Sequence, residues 1–188
     1  MNKFATIAGL AIAATAMNAS AEVLLLVDLS VVDQVTISAT DGLSSGDVSG
    51  SDSIGALMAD FFTGAGIGIL DSAGVGDLTT AGNTSDGTPG IFNSTGSLGF
   101  NFWTWTDDTA ISFSAGSVAF TGSATWSLDS DEYVAAIAGN TFGDIYAFAD
   151  TDDDIVASTL IGQWSVVPAP SSLALLGLGG IAAGRRRR

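Results

Sequence analysis

Two short acidic stretches hold the side chains best suited to chemistry: Asp129, Asp131 and Glu132, and Asp150, Asp152, Asp153 and Asp154. Alternate aspartates in a turn converge their oxygens on one hard cation, and Ca²⁺ takes about six to eight oxygen ligands. The candidate calcium ligands are therefore Asp150, Asp152 and Asp154, with Asp129 and Asp131 as a second group. An EF-hand is excluded, because Ile155 and Ile161 stand where that loop needs glycine and glutamate. The reading favoured over a calcium site is a pair of solvated acidic turns that keep the surface soluble. Trp103 and Trp105 share one face of an extended segment, with Phe100 and Phe102 on the other. One pair is a candidate sugar-stacking platform; if sheet packing covers both faces, all four are core.

Other chemistries are excluded by composition. Gly42-Leu43-Ser44-Ser45-Gly46 fits the G-x-S-x-G nucleophile pattern, yet the chain has no histidine to act as base and its only lysine is Lys3. It reads as a glycine-serine turn. Without cysteine there is no thiol nucleophile, no disulfide and, with histidine also absent, no histidine or cysteine zinc site. The glycine-rich stretch from Gly64 to Gly76 lacks phosphate-loop spacing. A carboxylate pair for glycoside hydrolysis is the remaining catalytic option, but among twenty acids a chance pair is assured and specifies little. The expectation is a protein that is not an enzyme.

The elements that must position these side chains read as strands. Val118, Phe120, Gly122, Ala124, Trp126 and Leu128 alternate with small polar or small apolar residues. So do Val35, Ile37 and Ala39, then Ile111 and Phe113, and finally Val156, Ser158, Leu160, Gly162, Trp164 and Val166. Trp126 and Trp164 fall on the apolar faces and are expected in the core. Val23 to Val27 is continuously apolar, as in a strand covered on both sides. Gly, Ser, Asn and Asp separate these runs. One short helix is expected around Ile54, Leu57, Met58, Phe61 and Phe62, capped by Asp52 or Ser53. The expected fold is all-β: a single antiparallel β-sandwich or jelly-roll-like domain over residues 22–166.

The two ends read differently. Met1 to Lys3, the apolar run from Phe4 to Ala16, and Ala19-Ser20-Ala21 have the form of a signal peptide over residues 1–21, cut by signal peptidase between Ala21 and Glu22. At the other end, Pro168 and Pro170 precede a charge-free run from Ser171 to Gly184, then Arg185, Arg186, Arg187 and Arg188. As a helix that run is about 21 Å long, a marginal transmembrane span, and basic flanks stay on the cytoplasmic side. Every basic residue lies in these end segments, so residues 22–166 carry twenty acids and no lysine or arginine. Nucleic acid is thereby excluded as a partner, since phosphate repels such a surface.

Val167-Pro168-Ala169-Pro170, the apolar run with Leu175-Leu176-Gly177, and Arg185 to Arg188 resemble the PEP-CTERM sorting signal of bacterial envelope and matrix proteins. Ala169 stands where that signal usually has glutamate. The resemblance covers residues 167–188 and implies an exosortase-type transpeptidase as partner, with transient membrane anchoring before transfer to the cell surface or matrix. The expected function is that of an exported non-catalytic surface or matrix protein in contact with extracellular polysaccharide. The alternative is a carbohydrate-binding β-sandwich module stabilised by Ca²⁺.

Overall fold

The computed structural model describes residues 21–51, 55–64, 68, 70–71, 74–82, 88–94, 96–103 and 110–168. In chain order the first strands are β1 (Val23–Asp28), β2 (Gln34–Ala39), β3 (Val48–Ser51), β4 (Ala56–Met58) and β5 (Leu70–Asp71). They are followed by β6 (Val75–Gly76), β7 (Thr79–Thr80), β8 (Gly90–Phe92), β9 (Phe100–Trp103) and β10 (Ala110–Phe113). After β11 (Phe120–Thr121) and β12 (Ser123–Ser127) come helix α1 (Ser130–Ile137), β13 (Phe142–Ala147), a 3₁₀ helix (Asp152–Ala157) and β14 (Thr159–Val166).

Ten strands form one sheet in the order β5-β8-β9-β4-β13-β14-β1-β2-β12-β6, and two small ribbons, β3 with β10 and β7 with β11, complete the β-structure described. The edge strands β5 and β6 are separated in the chain only by residues 72–74. The four-residue step from Asp71 to Val75 spans at most about 14 Å. The two edges of a ten-stranded sheet must therefore lie near each other, which forces the sheet to curl around its core. Every pairing is antiparallel except that of β1 with β14. That parallel pair joins the first and last strands, so the chain enters at one end of the fold and leaves at the other.

An aromatic chain runs through the core. Trp164 packs tilted against Phe61 at 5.1 Å, Phe61 against Phe100 at 5.2 Å, Phe100 meets Phe102 edge to face at 5.7 Å, and Phe102 packs tilted against Trp126 at 6.1 Å. Both indoles are fully buried, as their place in the alternating pattern predicts, and each satisfies its N–H on a carbonyl: Trp126 on Pro89 at 3.0 Å and Trp164 on Ala59 at 3.1 Å. Glycines make room for them. A Cβ at Gly143 would collide with the Trp164 ring, and one at Gly74 with that of Trp126.

Several sequence expectations change in the folded chain, among them the covering of both faces of β1, where Val23 is 38 % and Leu26 36 % exposed. The helix expected around Leu57 and Met58 is instead β4, a strand held between β9 and β13 and buried on both faces. An apolar run of this kind has no period that separates helix from strand, and the left-handed Asp60 (φ 55°) turns the chain before Phe61 and Phe62. The helix forms at Ser130–Ile137, in a stretch read as an acidic turn. The long strand expected from Val118 to Leu128 is broken at Gly122 (φ 81°), where the chain leaves the ribbon with β7 and joins β2 in the main sheet. The expected face survives from Phe120 onward: Phe120, Ala124, Trp126 and Leu128 are all buried. In β14, by contrast, a bulge opposite Ile145 and Tyr146 buries Ile161 as well as Trp164, while Val156 falls in the 3₁₀ helix and is exposed.

Candidate functional site

With no lysine, arginine or histidine between Glu22 and Val166, no carboxylate in the domain can form an ion pair with another side chain of the domain. The carboxylates instead accept N–H and O–H bonds and fasten loops. Glu22 Oε2 accepts from the Leu43 N–H at 2.7 Å, Asp47 Oδ1 from Ala115 N–H at 2.9 Å and Asp77 Oδ1 from Ser123 N–H at 3.0 Å. Tyr146 feels the excess charge. Burial, reinforced by Asp144 and Asp60, raises its phenol above the ordinary range.

The two acidic stretches singled out for calcium begin helices. Asp129 is the N-cap of α1: its carboxylate accepts from the N–H groups of Asp131 and Glu132, both at 2.9 Å, and Glu132 reaches back to the Asp129 N–H at 2.8 Å. This is a capping box, and Asp129-Ser130-Asp131-Glu132 followed by Tyr-Val-Ala-Ala-Ile was its readable signature. Asp154 folds back onto the Thr151 N–H and hydroxyl, each at 3.3 Å, at the start of the 3₁₀ helix. Asp152 turns away from it. Its Oδ2 accepts from the Ser97 hydroxyl and the Leu98 N–H, 55 and 54 residues away in the chain, while its Oδ1 is buried without a hydrogen-bond partner. Asp152 and Asp153 line a cleft of about 300 Å³ with Thr151, Ser94, Gly96 and Ser97. Among the described residues no three acidic side chains are grouped to hold a metal ion. Asp150 and Asp131 are exposed, and Asp152 and Asp154 diverge onto different partners.

Asp152→Ala is expected to destabilise the domain by about 1–2 kcal/mol, because it strands the Leu98 N–H and the Ser97 hydroxyl behind the 3₁₀ helix. Urea denaturation measures it. A loss indistinguishable from that of Asp153→Ala, whose side chain is exposed, would show that the Asp152 bonds contribute nothing.

The remaining candidates are placed as follows. Trp103 ends β9, paired with Gly90, while Phe100 and Phe102 are buried in the core; Trp105 lies outside the described residues. Ser44 is buried in its own turn, with its hydroxyl donating to the Gly46 carbonyl at 2.9 Å. Residues 1–20, with Ala19 of the signal-peptide site, and residues 169–188, with the apolar run and Arg185 to Arg188, also lie outside the described residues. Among the described residues no helix is long and apolar enough to cross a membrane.

The attachment of the C-terminal segment is well defined. β14 sits inside the sheet, hydrogen-bonded to β13 on one side and β1 on the other. The ladder continues to its last residues: the Val166 N–H donates to Thr141 and the Val167 N–H to Val27, each at 2.8 Å. Trp164 anchors the same strand in the core. The described chain thus stays in the ladder of a central strand as far as Val167.

These features define an acidic, curled β-domain whose last interior strand runs straight into a proline-led apolar and basic segment. Residues 166–188 of that segment match the PEP-CTERM protein-sorting motif, so the chain carries a sorting signal of the kind processed by exosortase. The motif implies export and sorting to the cell surface. No curated protein and no solved structure matches the chain.

Proposed function

We propose that this chain is an exported, non-catalytic surface or matrix protein, in which a polyanionic β-domain is delivered by its sorting segment and contributes its charged exterior to the cell envelope or an extracellular polymer layer. The observation that carries this reading is the junction at Val166. The sorting motif begins on the last residue of β14, so anchoring or transfer of the segment acts directly on the folded domain. In this reading Ser171 to Gly184 spans the membrane while Arg185 to Arg188 hold its end in the cytoplasm. An exosortase-type transpeptidase then processes the segment. The twenty acids, unopposed by any base in the domain, favour a hydrated surface that repels its own copies.

Replacing Arg185 to Arg188 with glutamine is expected to reduce the surface fraction about tenfold, since roughly 1.4 kcal/mol of lost orientation bias already gives that factor. Cell fractionation with detection of tail trimming in a host that contains exosortase reads the result. Normal trimming and a normal surface fraction would overturn the sorting role of the arginines.

A further inference from the structure

We propose that the end of the domain from which the C-terminal segment leaves is a lipid-contacting surface, laid against the bilayer by apolar side chains while the tail spans it. The proposal rests on the membrane-spanning reading of Ser171 to Gly184.

Sheet topology collects this surface. β14 ends at Val166, beside the end of β1 at Val27, so the β1–β2 turn with Val31 and Val32 lies at the exit. β12 reaches the same end, where the Leu128 N–H donates to the Asp33 carbonyl. There α1 begins, held to the β1–β2 turn by the Tyr133 hydroxyl on Leu29 O at 2.8 Å. α1 then leads into β13, whose first residue, Phe142, pairs with Ser165. Among the described residues, seven large apolar side chains are more than half exposed, and five of them belong to these exit-end segments: Val31, Val32, Val134, Ile137 and Phe142. Val134 and Ile137 are one helical turn apart, on one face of α1. Such a concentration in a protein with so acidic an exterior is not explained by the core, which these residues do not enter.

Chain length identifies the occupant. Only two residues separate Pro168 from Ser171, three steps of chain that span at most about 11 Å. A tail crossing the bilayer therefore holds the exit end within reach of the lipid headgroups, and this tether replaces free affinity with a high effective concentration. The same end also carries acids. Asp28, Asp33, Asp129, Asp131 and Glu132 lie on these segments, so contact favours neutral headgroups and is opposed by anionic ones.

The natural absence of cysteine makes the test direct. Single cysteines at Val32, Ile137 and Phe142, and at Val156 as a control, are labelled with an environment-sensitive fluorophore in the full chain reconstituted into phosphatidylcholine vesicles. Val156 is 96 % exposed and precedes β14, about 26 Å of strand from the exit. The three exit-end labels are expected to shift to the blue and to be quenched several-fold more than the Val156 label by nitroxide-bearing lipid. Phosphatidylglycerol at low salt reduces that quenching and added salt restores it. If the chain floats with the vesicles but all four labels are quenched alike, lipid contact at the exit end is overturned. A blue shift without lipid quenching assigns the surface to a second copy and also overturns it. Failure of the chain to float with the vesicles overturns the spanning reading, and the proposal with it.

Discussion

Trp164→Ala is expected to destabilise the domain by about 3–5 kcal/mol, a large part of the stability of a domain this size. The indole is fully buried, packs against Phe61 and donates its N–H to Ala59, so truncation removes apolar contact, opens a cavity and strands a carbonyl. The surroundings cannot close over the gap easily. Gly143 lies opposite on β13 with no side chain to fill it, and the backbone on both sides is fixed in the ladders with β13 and β1. Urea denaturation of residues 22–168, followed by far-ultraviolet circular dichroism, measures the loss. Trp164→Phe retains a ring packed against Phe61 and should recover part of it. A Trp164→Ala loss below about 1 kcal/mol would contradict the packing described, since even a modest buried deletion costs that much.

Gly122→Val is expected to cost on the order of 3 kcal/mol. Gly122 has φ of 81°, which a β-branched residue adopts with about 1–2 kcal/mol of strain, and its new Cβ would collide with the Asp77 carbonyl oxygen. Overpacking against backbone adds about 1–3 kcal/mol. The damage falls where the chain passes from one sheet to another, beside the paired bonds between Asp77 and Ser123. Gly122→Asn, tolerated more readily in the left-handed region, separates the two contributions: it relieves part of the conformational strain but not the collision. Comparison of the two variants with Gly116→Val, also at positive φ (76°) but with open space around its Cβ, isolates the collision further. Equal losses for Gly122→Val and Gly116→Val would refute a packing role for Gly122.

The sequence alone determined the features that depend on local pattern. Alternation marked β2, β10 and β12 with their buried faces, because side-chain period two survives wherever one face of a strand meets the core. It also placed Trp126 and Trp164 inside, and the order of prolines, apolar run and arginines declared the sorting segment matched at residues 166–188. Local pattern failed where the tertiary environment supplied the deciding contact. β4 is buried on both faces, so its apolar spacing carried no period that separates strand from helix. Gly122 divides what reads as one strand because two sheets compete for it, and only the fold says where the exchange occurs. The acidic stretches show the same division. Capping of α1 was legible in Asp129 and Glu132, whereas the attachment of Asp152 to Ser97 and Leu98 required partners 55 and 54 residues away. The parallel pairing of β1 with β14 was likewise hidden, since a ladder between the first and last strands leaves no mark in either. Yet that pairing sends the C-terminal segment out beside the apolar β1–β2 turn and α1, because parallel neighbours must end on the same side of a sheet.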